Sequence, residues 1–398
     1  MKSDKGNKIP RSIWSLGFVS MFMDISSEII HSLLPVFMVS VLGISTFSVG
    51  IVEGIAEAAA SISKVFSGAL SDWLGKRKIL AVIGYGMAAL TKPLFPLAGS
   101  LTAVATARFI DRIGKGIRGA PRDALVAEIA PPALRGECYG LRQSLDTLGA
   151  FLGPLLAILL MWISSDNYRL VFWIAVIPAF IALYLMIFSV KEPSDKQSTR
   201  TAKFPINRTD LARLGKLYWA ITGIAAVASL ARFSVAFLVL KANETGLLAW
   251  LLPLVFIVMN LVYTLSSYPA GKLSDRIDRK YMLLAGLVVL IISHFFLAFS
   301  GMSLLLVIIG VALWGLHMGL TQGVLAAIIV DITPKELKGT AFGMFNLVTG
   351  IAVFFSSGIA GCLWYMWGAQ VTFAAGIVFA FAAAVWLFLL GKRTERRV

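Results

Sequence analysis

The chain is predicted to be an all-α integral membrane protein, with twelve transmembrane helices in two parallel-related six-helix halves and both termini cytoplasmic. Three observations predict it. Of 398 residues, 58% are hydrophobic and 14% charged, with a mean hydropathy of +0.83, whereas charged residues approach a quarter of a soluble domain. Basic residues gather between alternate apolar runs, and sequence motifs recur at one fixed displacement. At about 20 apolar residues per span, twelve spans use roughly 240 residues. The remainder divides into short connections, which leaves no room for a soluble catalytic domain.

Apolar runs bounded by Gly, Pro or charge place the spans, in order, at 13–41, 46–71, 79–98, 101–120, 138–163, 169–190, 214–240, 247–271, 281–299, 302–328, 338–362 and 368–391. The first follows Lys2, Lys5, Lys8 and Arg11, but it is longer than a 7–15-residue signal core and carries Asp24, Glu28 and His31, so it is expected to be retained. The runs at 13–41 and 101–120 are interrupted by acids and bases and are kept as helices on length and flanks. Trp14, Trp162, Trp219, Trp250, Trp364 and Trp367 fall near span ends, where interfacial anchors belong.

Placing every other connection in the cytoplasm puts 27 of the 36 Lys and Arg on one side: in the first tail, near 76–78, 118–135, 191–216, 272–280 and 335–338, and at Lys392, Arg393, Arg396 and Arg397. The opposite side keeps only Arg169 and Lys241. This asymmetry supports an even span count with both termini inside, and the expected location is the cytoplasmic (inner) membrane. It accounts for the net charge of +15 and the pI near 9.9 without a nucleic-acid partner. Cys138 and Cys362 fall at opposite faces of the bilayer and are not expected to form a disulfide.

Gly68 to Lys78 reads GALSDWLGKRK and Gly271 to Tyr281 reads GKLSDRIDRKY, 203 positions further on. Glu128-Ile-Ala-Pro131, with Arg135-Gly136 and Gly140, returns at the same displacement as Asp331-Ile-Thr-Pro334, with Lys338-Gly339 and Gly343. Two matches at one displacement indicate a duplicated six-span unit, run in parallel because six is even. The halves are 1–190 and 213–398, joined by a polar cytoplasmic linker at 191–212.

On these motifs the chain resembles the major facilitator superfamily over essentially its whole length. GALSDWLGKRK is similar to that family's signature loop, departing at Trp73, and the second copy has Asp278 where Gly is expected. Arg112 with Gly116 is similar to the fourth-span arginine motif. Gly149-Ala-Phe-Leu-Gly153-Pro154 is similar to the fifth-span motif of the antiporter branches, with Ala157 in place of a further Gly. The resemblance implies that Asp72 faces the start of span eleven when the cytoplasmic side is closed. A carboxylate at a helix N-terminus is favourable. Gly68, Asp72, Gly75, Lys76 and Arg77, with Gly271, Asp275 and Arg276, are therefore expected to latch the outward-open state; the alternative is ordinary cytoplasmic loop charge.

Intramembrane charges are costly and usually face a cavity or a partner. Asp24, Glu28 and His31 share one face of span one, Glu53 and Glu57 one face of span two, and Arg108, Asp111, Arg112 and Lys115 one face of span four. Depth along the helices matches Asp24 with Arg112 and Glu28 with Arg108 as candidate ion pairs. The resemblance makes spans one, four, seven and ten line a central cavity, so these residues are the candidate substrate and proton site, with His317 and Gln322 from span ten. The alternative is that the charges only tie spans one, two and four together. Arg142 and Asp146 read as an intrahelical pair, and Lys64, Lys92 and Arg232 as snorkelling side chains near span ends.

Three enzyme-like patterns lack their context. Gly114 to Gly119 matches G-x-G-x-x-G with no preceding strand. Ser61 to Lys64 matches S-x-x-K without its companions. His31, His294 and His317 show no metal spacing. The expected function is a secondary transporter, not an enzyme, that works by alternating access as a monomer. It needs no cofactor beyond the proton gradient and exports small amphipathic molecules in exchange for protons carried by Asp24 and Glu28. The alternative is uptake or exchange of an organic anion, such as a polycarboxylate or siderophore-like chelate, held by Arg108, Arg112 and Lys115. A membrane-embedded enzyme or a receptor would not explain the duplication.

Overall fold

The computed structural model describes residues 9–74, 76–131, 134–192, 208–274, 276–334 and 337–395. Its elements are α1 (Arg11–Val36), continued by a π turn at Phe37–Val41 after Pro35, then α2 (Thr46–Leu74), α3 (Arg77–Thr91), a short α4 (Leu94–Leu97), α5 (Leu101–Ile129), α6 (Arg135–Ile163) and α7 (Tyr168–Phe188). The second half has α8 (Arg208–Arg213), α9 (Gly215–Ala231), α10 (Ala236–Glu244), α11 (Leu254–Ser274), α12 (Arg279–Phe299), α13 (Leu304–Ile332) and α14 (Lys338–Glu395). Among the described residues helices are joined by short turns and there is no strand.

Among the described residues nine stretches are long and apolar enough to cross a membrane. The ninth, Thr340–Leu390, is two predicted spans run together and broken at Gly368, whose φ of 82° lies in the left-handed region that glycine enters without strain. α2 and α5, 29 residues each, are also long enough to span and carry charged residues within them. Leu90, Ile163, Phe188, Tyr268 and Val378 are all at least 60% exposed. A surface this apolar belongs in lipid rather than water, and the chain is a multi-pass membrane protein.

The duplication is visible in the helix ends. α5 runs Leu101–Ile129 and α13 runs Leu304–Ile332, so both termini are displaced by 203. Each starts from a serine N-cap at the same displacement: Ser100 Oγ accepts from Ala103 N at 3.3 Å, and Ser303 Oγ from Leu306 N at 3.5 Å. Both helices carry a glycine where a partner backbone comes close. A Cβ at Gly116 would lie 2.6 Å from Ala60 O of α2, and one at Gly319 would collide with Ser266 of α11.

One departure between the copies has a structural cause. In the first half a remote carboxylate serves the start of α3: Glu192 Oε1 accepts from Arg77 N at 2.8 Å and Lys78 N at 3.3 Å. In the second half Asp278, which stands where the first has Gly75, caps α12 itself by accepting from Lys280 N at 2.9 Å. Asp278→Ala is expected to cost about 0.5–2 kcal/mol. It would be read as a lower melting temperature in detergent, and an unchanged melt would show the cap to be redundant.

The chain divides into two compact units, Met1–Leu33 with Ala59–Phe204, and Leu34–Ala58 with Pro205–Val398. In the first, α3 packs on α5 and α7. Its core joins Ile13, Leu16, Val19 and Met23 to Tyr85, Ala88, Leu125, Ala179 and Met186. In the second, α12 packs on α13 and α14, α11 on α13 and α9 on α14. Residues 34–58 belong to this unit through a close crossing in which a Cβ at Gly50 would be 3.0 Å from Gly361 Cα.

Candidate functional site

The first unit holds a network of charged side chains inside the membrane. α5 supplies most of it, because Arg108, Asp111, Arg112, Lys115, Arg118 and Arg122 recur at three- and four-residue intervals along one side of the helix. Arg108 is 3% exposed, Asp111 2% and Arg112 6%. Asp111 Oδ1 receives Lys92 Nζ at 2.9 Å, and the same ammonium reaches Ser27 Oγ at 3.1 Å. Lys92 is fully buried at the end of α3. The expectation that it snorkels is therefore wrong. The chain continues past it through Pro93 and α4, which closes over the ammonium, and Asp111 supplies the counter-charge that makes burial tolerable.

His31 lies between the two arginines. Arg108 Nη1 contacts His31 Nε2, Arg112 Nη2 stands 3.5 Å from His31 Nδ1, and Asp111 Oδ2 is 3.7 Å from Nε2. A guanidinium can only donate, so the ring nitrogen that takes an arginine N–H accepts it. Each nitrogen also faces a carboxylate, Nε2 that of Asp111 and Nδ1 that of Glu28 at 4.0 Å.

Depth alone does not identify the partners of the span-one acids. The groups acting most strongly on Asp24 are Asp146, Lys115 and Arg118, not Arg112. Those acting on Glu28 are Lys115, Arg112, Arg108 and Lys92. Depth fixes the height of a residue on its helix and leaves its rotation about the axis free, and rotation chose the neighbours.

Sequence reasoning missed several members. Residues 118–129 were expected in a cytoplasmic loop, yet α5 continues to Ile129 and carries Arg118 and Arg122 into the protein. Pro121 was the misleading signal; with its neighbours packed the helix tolerates it. Arg122 Nη1 donates to Ser20 Oγ at 3.0 Å and lies 3.4 Å from Asp146 Oδ1. Arg142 and Asp146 approach to 3.7 Å as the four-residue spacing implied, and Arg142 is also 3.8 Å from Asp123. Arg118 lies over the Tyr85 ring, 4.9 Å from its centroid.

The antiporter-like residues form the seam between α6 and α1. A Cβ at Gly149 would meet Met21 O, and one at Gly153 would be 2.6 Å from Glu28 Cβ and 3.1 Å from Ile25 O. Pro154 follows inside α6.

The second unit is sparser in charge. Glu53 is buried and accepts from Ser234 Oγ at 3.2 Å, and Glu57 is half-buried one turn further along α2. Tyr263 donates to Gln322 Oε1 at 3.1 Å. His317 Nδ1 lies 2.7 Å from Gly286 O, an acceptor, which places its proton on Nδ1. Arg232, expected near a span end, sits instead at an internal break between α9 and α10, midway along a 30-residue span.

Of the expected latch, Gly75 and Asp275 lie outside the described residues, as does the side chain of Asp72. Gly68 is in α2, Lys76 precedes α3, Gly271 is in α11, and Arg276 lies in the turn after it. Arg77 Nη1 pairs with Glu128 Oε1 at 2.6 Å, and Arg279 pairs with Asp331 in the second copy. Among the described residues no group of His, Cys, Asp and Glu is arranged to hold a metal ion.

Charged side chains on the helices of a duplicated multi-pass membrane chain are what a transporter needs to hold a polar substrate. The Major Facilitator Superfamily model matches residues 16–262 and 222–398, and the chain belongs to that superfamily. It is 32% identical over 395 residues to an uncharacterised MFS-type transporter of Methanocaldococcus jannaschii, covering 98% of this chain and 97% of that one. It is 28% identical to a probable 4-methylmuconolactone transporter of Cupriavidus pinatubonensis, over 76% of this chain and 71% of the relative. It is 24% identical to the cis,cis-muconate transport protein of Acinetobacter baylyi, over 86% and 85%. Among solved structures, the peptide transporter POT superposes with a TM-score of 0.80 at 14% identity, covering 97% of this chain and 95% of that one.

Proposed function

We propose that this transporter carries a small organic anion together with protons, by alternating access. The observation that carries the proposal is the charge balance of the first unit's network, whose centre at Lys92, Arg108, Asp111 and Arg112 is buried. Seven bases, Lys92, Arg108, Arg112, Lys115, Arg118, Arg122 and Arg142, interact with five acids, Asp24, Glu28, Asp111, Asp123 and Asp146. A net positive network inside a membrane favours an anionic substrate, because a cationic one would add to the surplus. The relatives named for muconate and methylmuconolactone transport support the same substrate class.

Proton coupling follows from the position of Asp24 and Glu28 among these bases. An unprotonated carboxylate competes with the substrate for the same positive charge. At an effective dielectric of about 20, removing a unit charge about 6 Å from a bound anion is worth about 3 kcal/mol. Binding of proton and anion is then mutually favourable, and linkage makes the effect reciprocal. This sign gives symport, whereas a cationic drug would compete with the proton and give antiport. The proton gradient is the energy source, and the cytoplasmic motifs around Asp72 and Asp275 serve as the latch on the outward-open state. We place the protein in the inner membrane, working as a monomer with both termini cytoplasmic.

In proteoliposomes, hexanoate or benzoate counterflow is expected, with affinity falling at least tenfold as pH rises from 5.5 to 8. Arg112→Gln is expected to weaken carboxylate binding by a further order of magnitude at low pH. Transport of tetraphenylphosphonium instead, with no carboxylate flux and with loss in Asp24→Asn, would replace this function by cation export.

A further inference from the structure

We propose that His31 couples the proton to the substrate: as a neutral ring it occupies the arginines that a substrate carboxylate needs, and it takes up a proton when the carboxylate displaces it. This deepens the organic-anion function and rests on it. Every group concerned lies in the first unit. His31 follows Glu28 by three residues on α1, and Arg108, Asp111 and Arg112 share one side of α5. The histidine is buried among two guanidiniums and two carboxylates. Nε2 meets Arg108 Nη1 and lies 3.7 Å from Asp111 Oδ2, while Nδ1 lies 3.5 Å from Arg112 Nη2 and 4.0 Å from Glu28 Oε1. The other oxygen of Asp111 is held by Lys92, whose ammonium also acts on the ring.

A neutral imidazole accepts at one nitrogen, whereas an imidazolium only donates. The neutral ring therefore takes an arginine N–H in the place of a substrate oxygen. A carboxylate is the stronger acceptor, because it is charged and both its oxygens fit the guanidinium fork. Once a carboxylate has taken the arginines, neither ring nitrogen is needed as an acceptor. Both can then donate, Nε2 to Asp111 and Nδ1 to Glu28, and donation at both requires a second proton on the ring. Before the anion binds, that proton would set a third cation beside Arg108 and Arg112; afterwards the anion offsets it. Proton and anion favour each other's binding, by the reciprocity of linked sites. The arrangement belongs to the first copy of the repeat alone, since the residues 203 places beyond His31, Arg108 and Arg112 are Ser234, Val311 and Gly315.

The test is calorimetry of benzoate binding to the detergent-purified protein in two buffers of different ionisation enthalpy, which counts the protons taken up per anion. His31→Gln keeps a donor and an acceptor but does not titrate. It is expected to take up about 0.5–1 proton fewer than the wild type, while the protons of Asp24 and Glu28 remain. His31→Leu removes both the competitor and the proton site. Its benzoate affinity should be roughly threefold or more above the wild type at pH 8 and below it at pH 5.5, so that the two pH curves cross. An unchanged proton count in the Gln variant, or a Leu variant weakened by the same factor at both pH values, would overturn the proposal by making His31 purely structural. Should one variant fail to fold, the other decides. Failure of the wild type to bind benzoate at either pH would instead remove the organic-anion function on which this rests.

Discussion

Lys92→Met is expected to destabilise the protein by about 3–5 kcal/mol, the usual cost of removing one partner of a buried ion pair. Lys92 is fully buried and Asp111 nearly so, with 2.9 Å between Nζ and Oδ1. Without the ammonium, Asp111 keeps Arg112 and His31 as neighbours and is expected to turn toward them. The variant should therefore also lose carboxylate affinity, because the charge meant for substrate is satisfied from within. Lys92→Met combined with Asp111→Leu removes both charges and should recover most of the stability, since a buried pair can often be replaced by apolar residues at little cost. Melting temperatures of the two variants by size-exclusion or scanning fluorimetry decide it. Equal destabilisation in both would mean that Lys92 stabilises through its packing and not through its charge.

Gly153→Leu is expected to abolish transport and to lower stability by about 1–3 kcal/mol, the range for forcing volume into a packed site. Even a single added carbon at Gly153 would stand 2.6 Å from Glu28 Cβ, and Ile25 O blocks retreat at 3.1 Å. α1 must then move, and Glu28 moves with it, out of the field of Lys115, Arg112 and Arg108. Gly140→Ala on the same helix is the matched control, because nothing lies within 4 Å of the Cβ it adds. Should Gly153→Leu transport normally while Gly140→Ala does not, the seam between α1 and α6 would have no part in placing Glu28.

Much of the architecture was legible in the residues. The repeat at 203 positions, read from motifs at 68–78 and 128–140, reappears in the structure as α5 and α13, whose ends and serine caps share that displacement. Apolar runs located the spans, α2 and α5 among them at 46–71 and 101–120, although both helices carry charged residues. Helical spacing put Arg108, Asp111 and Arg112 together. It could not show that Asp111 belongs to Lys92, which lies 19 residues away across a helix turn, nor that α5 carries Arg118 and Arg122 inward past Pro121.

The sequence by itself determined that the chain lives in a membrane, that it is built twice over, and which helices bear charge. These follow from composition, from period and from the cost of polar groups in lipid, and none needs a partner residue to be known. Only the tertiary structure decided which charges meet. Pairing depends on how each helix is rotated about its axis, and packing sets that rotation: glycines at 116, 149 and 153 let backbones touch, and a proline and a short turn close over Lys92.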